Sequence, residues 1–401
     1  MRYRVLALLV LAAVIAYVQR NAISVPSKTI QQDLGLTDAN MGVVMSAWYW
    51  GYAFAQLPAG WLADRWGSRA ALALFAALWS AFTAAMFFAA GFTGILLLWL
   101  GMGVAQAGVF PSATKAIGAW FPAAERASAS GWLICGQLSG AAIASALVAY
   151  LLILAPWQLV FVWVAIPGFI WAAAYRTSVP LIAETKANSI PWKSAIGKLL
   201  LNPSMLLLCS QQFLRSAAMT FFWTWFPRYL QETRGVPQLQ SGYLTAIPNL
   251  AALVGGIAGG YASDWLLKRT GNRRLARQGV AVLGMVLCSM LTFAAFFIAD
   301  PVSAVLCISI GAFWGVFGGV SGYSVAIEFG GKSVATVFAT MNMCGNVGSA
   351  LFPMIVGWYV AQGGDWNFVL LAFAVLFAVD ALLWALLNPK RPLFEDEYDA
   401  R

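Results

Sequence analysis

Three charged residues stand out because they lie where charge is costly. Arg20, Arg215 and Asp380 each fall inside an apolar stretch of the sequence. An arginine within a membrane span costs at least ~2.5–3.5 kcal/mol on insertion scales, so such a residue must face a cavity or a partner. A guanidinium that lacks a protein carboxylate is prepared to accept one bidentately from a solute. No acid lies on the turn before Arg20, and two amides, Gln19 and Asn21, flank it. The competing expectation is snorkelling to the outer interface, since Arg20 lies only ~9 Å of helix rise from the predicted end of its span. Arg215 is either a second anion anchor or a structural arginine tied to backbone carbonyls or to Asp380. Asp380 itself reads as the partner of an arginine or as an interfacial polar contact. Other chemistries find little support. The chain has no histidine, and its five cysteines sit in apolar stretches without paired spacing. Metal sites, disulfide frameworks and paired-carboxylate enzymes are disfavoured, and no cofactor is expected.

The elements that must position these residues are apolar helices. Of the 401 residues 61% are hydrophobic and only 10% charged, with a mean hydropathy of +0.76. A soluble chain of this size needs far more charge on its surface. Apolar runs of about 20 residues, long enough to cross hydrocarbon, recur throughout. They predict spans over 4–26, 41–62, 70–91, 93–115, 127–154, 158–178, 204–230, 239–262, 276–299, 301–327, 335–361 and 366–387. The first has no small-residue cleavage site and reads as span 1 rather than a signal peptide. The net charge of +9 raises nucleic acid as a partner, but the basic residues are scattered between apolar runs. With the N-terminus inside, the inner segments collect most of the 24 Lys and Arg, including Lys115, Arg274 and Arg277. That asymmetry places both termini in the cytoplasm. The partner is therefore the bilayer and not nucleic acid, and the chain reads as a monomer.

The sequence also repeats. A shift of 200 residues sets Gly42 on Gly242, Gly60 on Gly260 and Asp64 on Asp264. A shift of 209 sets Cys135, Gly136 and Gln137 on Cys344, Gly345 and Asn346. Such internal similarity marks repeat-built transporters. The expected organisation is an all-α membrane protein with two pseudo-symmetric six-helix halves, 1–178 and 204–388. A cytoplasmic linker over 179–203 joins them, and a cytoplasmic tail over 389–401 carries a disordered acidic stretch at 395–399. Glycine pairs at helical spacing, Gly136/Gly140 and Gly255/Gly259, would let helices approach closely.

The loop after span 2, Gly60-Trp-Leu-Ala-Asp64-Arg65-Trp-Gly67-Ser-Arg69, resembles the signature of the major facilitator superfamily. The run Gly259-Gly-Tyr-Ala-Ser-Asp264 looks like its second, degenerate copy. An aspartate at a helix end beside arginines can latch two helices in one conformation and release them in another. The latch is assigned to Asp64, Arg65, Arg69 and Asp264, with Glu125 and Arg126 of the loop before span 5. A plain solvated turn is the alternative.

Within that superfamily the chain is similar, over essentially its whole length, to the anion:cation symporter family, the group of galactonate, hexuronate and glucarate carriers and sialin. The likeness rests on Tyr17-Val-Gln19-Arg20-Asn21, Trp48-Tyr-Trp-Gly-Tyr52, Gln106-Ala-Gly108-Val-Phe-Pro111, Trp120-Phe-Pro122-x-x-Glu125-Arg126, Thr224-Trp-Phe-Pro227 and Asn342-x-x-Gly345-Asn346. It implies a carrier of a small organic anion in the plasma (bacterial inner) membrane, working by alternating access around a central site. Arg20 would hold the solute carboxylate. Tyr17, Gln19, Tyr52, Gln106, Gln137, Arg215, Asn342 and Asn346 would line the site, although each buried amide is equally readable as interhelical glue. Tyr49, Trp48 and Trp50 read as packing or belt aromatics. The family's acid before the span 1 arginine is replaced here by Gln19. Its span 4 arginine and glutamate are replaced by Trp99 and Gln106. Proton symport through those acids is thus not expected. Anion antiport through Arg20 and Arg215 together is one alternative reading, and a non-transporting solute sensor is another.

Overall fold

The computed structural model describes residues 1–180, 201–331 and 333–388. The predicted linker lies mostly, and the acidic tail wholly, outside the described residues. Every predicted span meets helix. In the first half these are α1 (Arg2–Asn21), a short α2 (Ser27–Leu34), α3 (Asp38–Trp66), α4 (Ser68–Ala85), α5 (Gly91–Gln106), α6 (Val109–Trp120), α7 (Arg126–Leu154) and α8 (Trp157–Ser178). In the second they are α9 (Pro203–Thr224), α10 (Phe226–Arg234), α11 (Gln238–Thr270), α12 (Val280–Phe296), α13 (Pro301–Gly319), α14 (Ser321–Gly330), α15 (Val334–Ala361) and α16 (Trp366–Leu386). Among the described residues nine helical stretches are long and apolar enough to cross a membrane by length and composition.

Local chemistry sets the boundaries. Thr37 opens α3 with a reciprocal capping box to Asn40. Gly67, at φ 85°, breaks the chain between α3 and α4 in a conformation that few other residues adopt. Asp300 caps α13 by accepting from the Ser303 amide, and Ser303, through its side chain first and then its amide, holds the carboxyl below the usual carboxylate range. Spans 4 and 10 are each made of two helices, α5 with α6 and α13 with α14, divided at matching places. Span 1 is shorter than its apolar run. Helix α1 ends at Asn21, and a turn over 22–26 leads into α2.

Two compact units emerge. Unit 1 is Met1–Phe121, Trp132–Trp192 and Lys332–Ala339; unit 2 is Pro122–Gly131, Lys193–Gly331 and Thr340–Arg401. Inside unit 1, α3 and α4 pack on α5, and α8 packs on α4 and α1. Inside unit 2, α11 and α12 pack on α13, and α16 packs on α12 and α9. The two packing schemes are images of each other, as the sequence repeat requires. The glycine pairs make the close approaches. A methyl added at Gly140 would stand 2.5 Å from the Val14 carbonyl oxygen of α1, and one at Gly255 would stand 2.2 Å from that of Phe313 on α13.

Candidate anion site

Arg20 occupies the last turn of α1, where the helix dipole favours a cation. Its guanidinium carbon lies 3.7 Å from the ring centre of Trp48, 5.0 Å from that of Tyr49 and 5.2 Å from that of Tyr17. No carboxylate among the described residues pairs with Arg20. Stacked π faces compensate a desolvated cation by about 0.5–2 kcal/mol. They leave most of the guanidinium's five donors for another partner. The aromatic box is itself fixed. Trp48 is 1% exposed and stacks on Tyr52 at 4.6 Å, while Tyr17 meets Phe110 edge-on at 6.0 Å. Trp48 and Tyr49, read from the sequence as packing aromatics, are thus what holds Arg20. The spacing of Trp48 and Tyr52, one helical turn apart on one face of α3, was the available signal.

The neighbouring amides of unit 1 serve a different end. Gln19 is fully buried, donates to the Val164 carbonyl of α8 at 2.9 Å and accepts from the Thr83 hydroxyl of α4 at 3.0 Å. Gln106 donates to the Ala16 carbonyl of α1 at 3.0 Å. Trp99 is buried against Phe161. In the structure both amides hydrogen-bond from one helix to another. Gln137 differs. It is half-buried, and no hydrogen bond to it is formed among the described residues. It lies on the stretch of α7 that Gly136 and Gly140 bring against α1, beside Tyr17.

In unit 2, Arg215 sits in the body of α9. Its Nη2 donates to Gln212 Oε1, its Nε has no hydrogen-bond partner, and Asp380 and Tyr323 act on it electrostatically. Asp380 is 0% exposed, and neither of its oxygens accepts a hydrogen bond. Asn346 donates to the Asn342 carbonyl one turn back at 2.8 Å, and both amides are half-buried on α15.

The two aspartates expected to latch helices do bind helix ends, with partners other than those expected. Asp64 accepts from the amides of Ala335 (3.1 Å) and Thr336 (2.8 Å), the second and third residues of α15. Its cation is Lys115, 3.1 Å away on α6 and buried, not a solvated inner charge. Arg65 is exposed and turned over Trp61, and Arg69 donates to the Arg176 carbonyl at the end of α8. Arg65 follows Asp64 directly, so helical geometry sends its side chain ~100° around the axis. Asp264 accepts from Ala127 (3.2 Å) and Ser128 (2.7 Å), the second and third residues of α7. Its cation is Arg277, fully buried, which also pairs with Glu328 at 3.1 Å. Glu328, at the end of α14, is thereby held inside the unit. Glu125 and Arg126 are part-buried at the start of α7, with Arg126 under the field of Glu328.

Comparison with known proteins places this geometry among carriers. A family model described as Major Facilitator Superfamily matches residues 9–353. A Bacillus subtilis protein described as a probable galactarate/D-glucarate transporter is 32% identical, over 96% of this chain and 91% of its own length. A Cupriavidus necator protein described as a probable sulfoacetate transporter is 29% identical, over 97% and 94%. The fold is that of the Escherichia coli fucose:proton symporter, with a TM-score of 0.78, 16% identity and coverage of 96% and 98%.

Proposed function

We propose that this chain, which belongs to the major facilitator superfamily, carries a small hydroxylated carboxylate across the membrane with Arg20 as the anchor for its negative group. One observation carries the reading: Arg20 is boxed by three aromatic rings and has no carboxylate partner among the described residues. A fixed cation supported only by π faces gains most from an incoming anion, which can use its unspent donors bidentately. The similar proteins are described as transporters of galactarate or D-glucarate and of sulfoacetate, solutes that share a terminal anionic group on a short polar skeleton. Gln137, half-buried and without a hydrogen bond, suits the hydroxyls of such a solute. Gln19 and Gln106 are left out of the ligand set, since both are engaged between helices. The chain sits in the plasma membrane with both termini cytoplasmic, and works as a monomer.

Antiport through two free arginines draws less support, because Arg215 is placed between Gln212 and Asp380. The deciding experiment is a thermal-shift screen of purified protein against D-glucarate, D-galactonate, a hexuronate and sulfoacetate, followed by liposome uptake of any hit. Arg20→Lys should weaken a hit about tenfold or more, the worth of one charge-assisted hydrogen bond. Unchanged affinity in that variant would remove Arg20 from the site.

A further inference from the structure

Arg215 and Asp380 form an unfinished pair inside unit 2. Both oxygens of a fully buried carboxylate lack a hydrogen bond, and the buried Nε–H of the half-buried Arg215, within its electrostatic reach, lacks an acceptor. Orphaned buried groups are rare and call for an explanation. Here the donor idle on one residue is the complement of the acceptors idle on the other. Taking an ionised carboxylate out of water costs several kcal/mol unless a counter-charge and hydrogen bonds restore it. The arrangement seen, with Arg215 turned to Gln212 Oε1, therefore suits a neutral Asp380. An ionised Asp380 would draw the guanidinium over to α16 and satisfy both residues at once. Gly319 on α13 accommodates the guanidinium where it now lies, since an added methyl would stand 2.7 Å from Arg215 Nη1.

Other titratable groups border the pair, and from α14 Tyr323 acts on Arg215. From α12, Cys288 faces the Asp380 field. Among the described charges on the other elements packed against α16, Glu232 meets Trp366 Nε1, Arg234 meets Tyr229 and the carbonyls of Ala295 and Ile298, Arg274 meets Gln278, and Arg277 meets Asp264 and Glu328. In unit 1, the amides of Gln19 and Gln106 cannot release a proton.

We infer that Asp380 is the proton-carrying group of the transport cycle and that Arg215 is the switch it controls. Protonation of Asp380 from the aqueous phase on one side frees Arg215; loss of that proton to the other side recaptures it. Arg215 can serve an anion only while Asp380 is neutral, because the ionised carboxylate takes the same guanidinium, so a proton on Asp380 and an anion at Arg215 favour each other's binding. The inference rests on the anion reading above for its solute, but not for its proton.

The test uses the full chain in liposomes with labelled D-glucarate, D-galactonate and sulfoacetate as probes. Wild-type protein should accumulate at least one probe when the outside is made acid. Asp380→Asn should lower that accumulation by about tenfold or more, while counterflow of the same probe at equal pH persists. Asp380→Glu, which keeps an acid, should restore gradient-driven accumulation and guards against a folding defect in the Asn variant. Full accumulation by Asp380→Asn, or wild-type protein that exchanges a probe by counterflow yet does not accumulate it when the outside is made acid, would overturn the inference. If wild-type protein exchanges none of the probes, the Arg20 reading fails, and infrared spectroscopy still decides Asp380. Acid-minus-alkaline difference spectra of the wild type should contain a protonated-carboxyl band that Asp380→Asn lacks and Asp380→Glu shifts. A spectrum unaltered by both substitutions would sink the assignment without reference to any solute.

Discussion

Asp64 takes the amides of Ala335 and Thr336, and Asp264 takes those of Ala127 and Ser128, so each aspartate caps the second and third residues of a long helix. The charge around the two caps differs. At Asp64 the Lys115 ammonium spends its three donors on the Asp64 carboxylate and on the Ala63 and Asp64 carbonyls in the last turn of α3. At Asp264 an arginine does the work, with Nη1 on Asp264 and Ser263, Nε on Glu328 and Nη2 on the Ala123 carbonyl. The second segment of span 4 contributes the cation Lys115, while the second segment of span 10 contributes an acid, Glu328, at nearly the same place. The repeat has kept the capping geometry and reversed a charge, and the planar fork of Arg277 is what lets one cation serve two acids.

This difference predicts unequal fragility. Arg277→Met should be the most damaging change, because it removes the paired cation of two buried acids at once and leaves only the field of Arg126 on Glu328; breaking one buried pair this way costs about 3–5 kcal/mol. Lys115→Met leaves one acid, still held by two amides and the Thr336 hydroxyl, and should cost less. Thermal unfolding of purified protein in detergent would rank them, and the reverse order would break the comparison. Neutralising the aspartates should invert the ranking. Asp264→Asn relieves the competition of two acids for Arg277, whereas Asp64→Asn strands Lys115, so the Asp64 variant should lose more. The gap expected is about one charge-assisted hydrogen bond, ~1.5–3 kcal/mol.

The fold was legible in the sequence because hydrocarbon thickness imposes a length on apolar runs, and all twelve runs became helix. The ends were less so. The positive-inside pattern treats every cation near a helix end alike, so Lys115 and Arg277 were counted among inner charges although both are buried. Arg20 announced itself as a charge in an apolar run. Its aromatic box did not, since tryptophan and tyrosine also fill helix contacts and interfaces. The amides show the limit most clearly: Gln19 and Gln137 carry the same functional group in spans of one unit, and only the packing of α4 and α8 reveals that Gln19 is engaged.

The smallest effect sharpens the comparison most cleanly. Thr336 gives Asp64 a third hydrogen bond, from its hydroxyl to Oδ2 at 2.7 Å, beside the one from its own amide. At Asp264 the corresponding residue, Ser128, contributes its amide to the cap. Thr336→Val keeps the shape and the amide and removes only the hydroxyl, so it should lower stability by about 1 kcal/mol. Measured in the Lys115→Met background the same change should cost more, because the carboxylate then depends on fewer donors and the two losses are coupled through one oxygen pair. Strict additivity in that double-mutant cycle would mean that Lys115 and Thr336 hold Asp64 independently, and that its cap is two separate contacts instead of one cooperative knot.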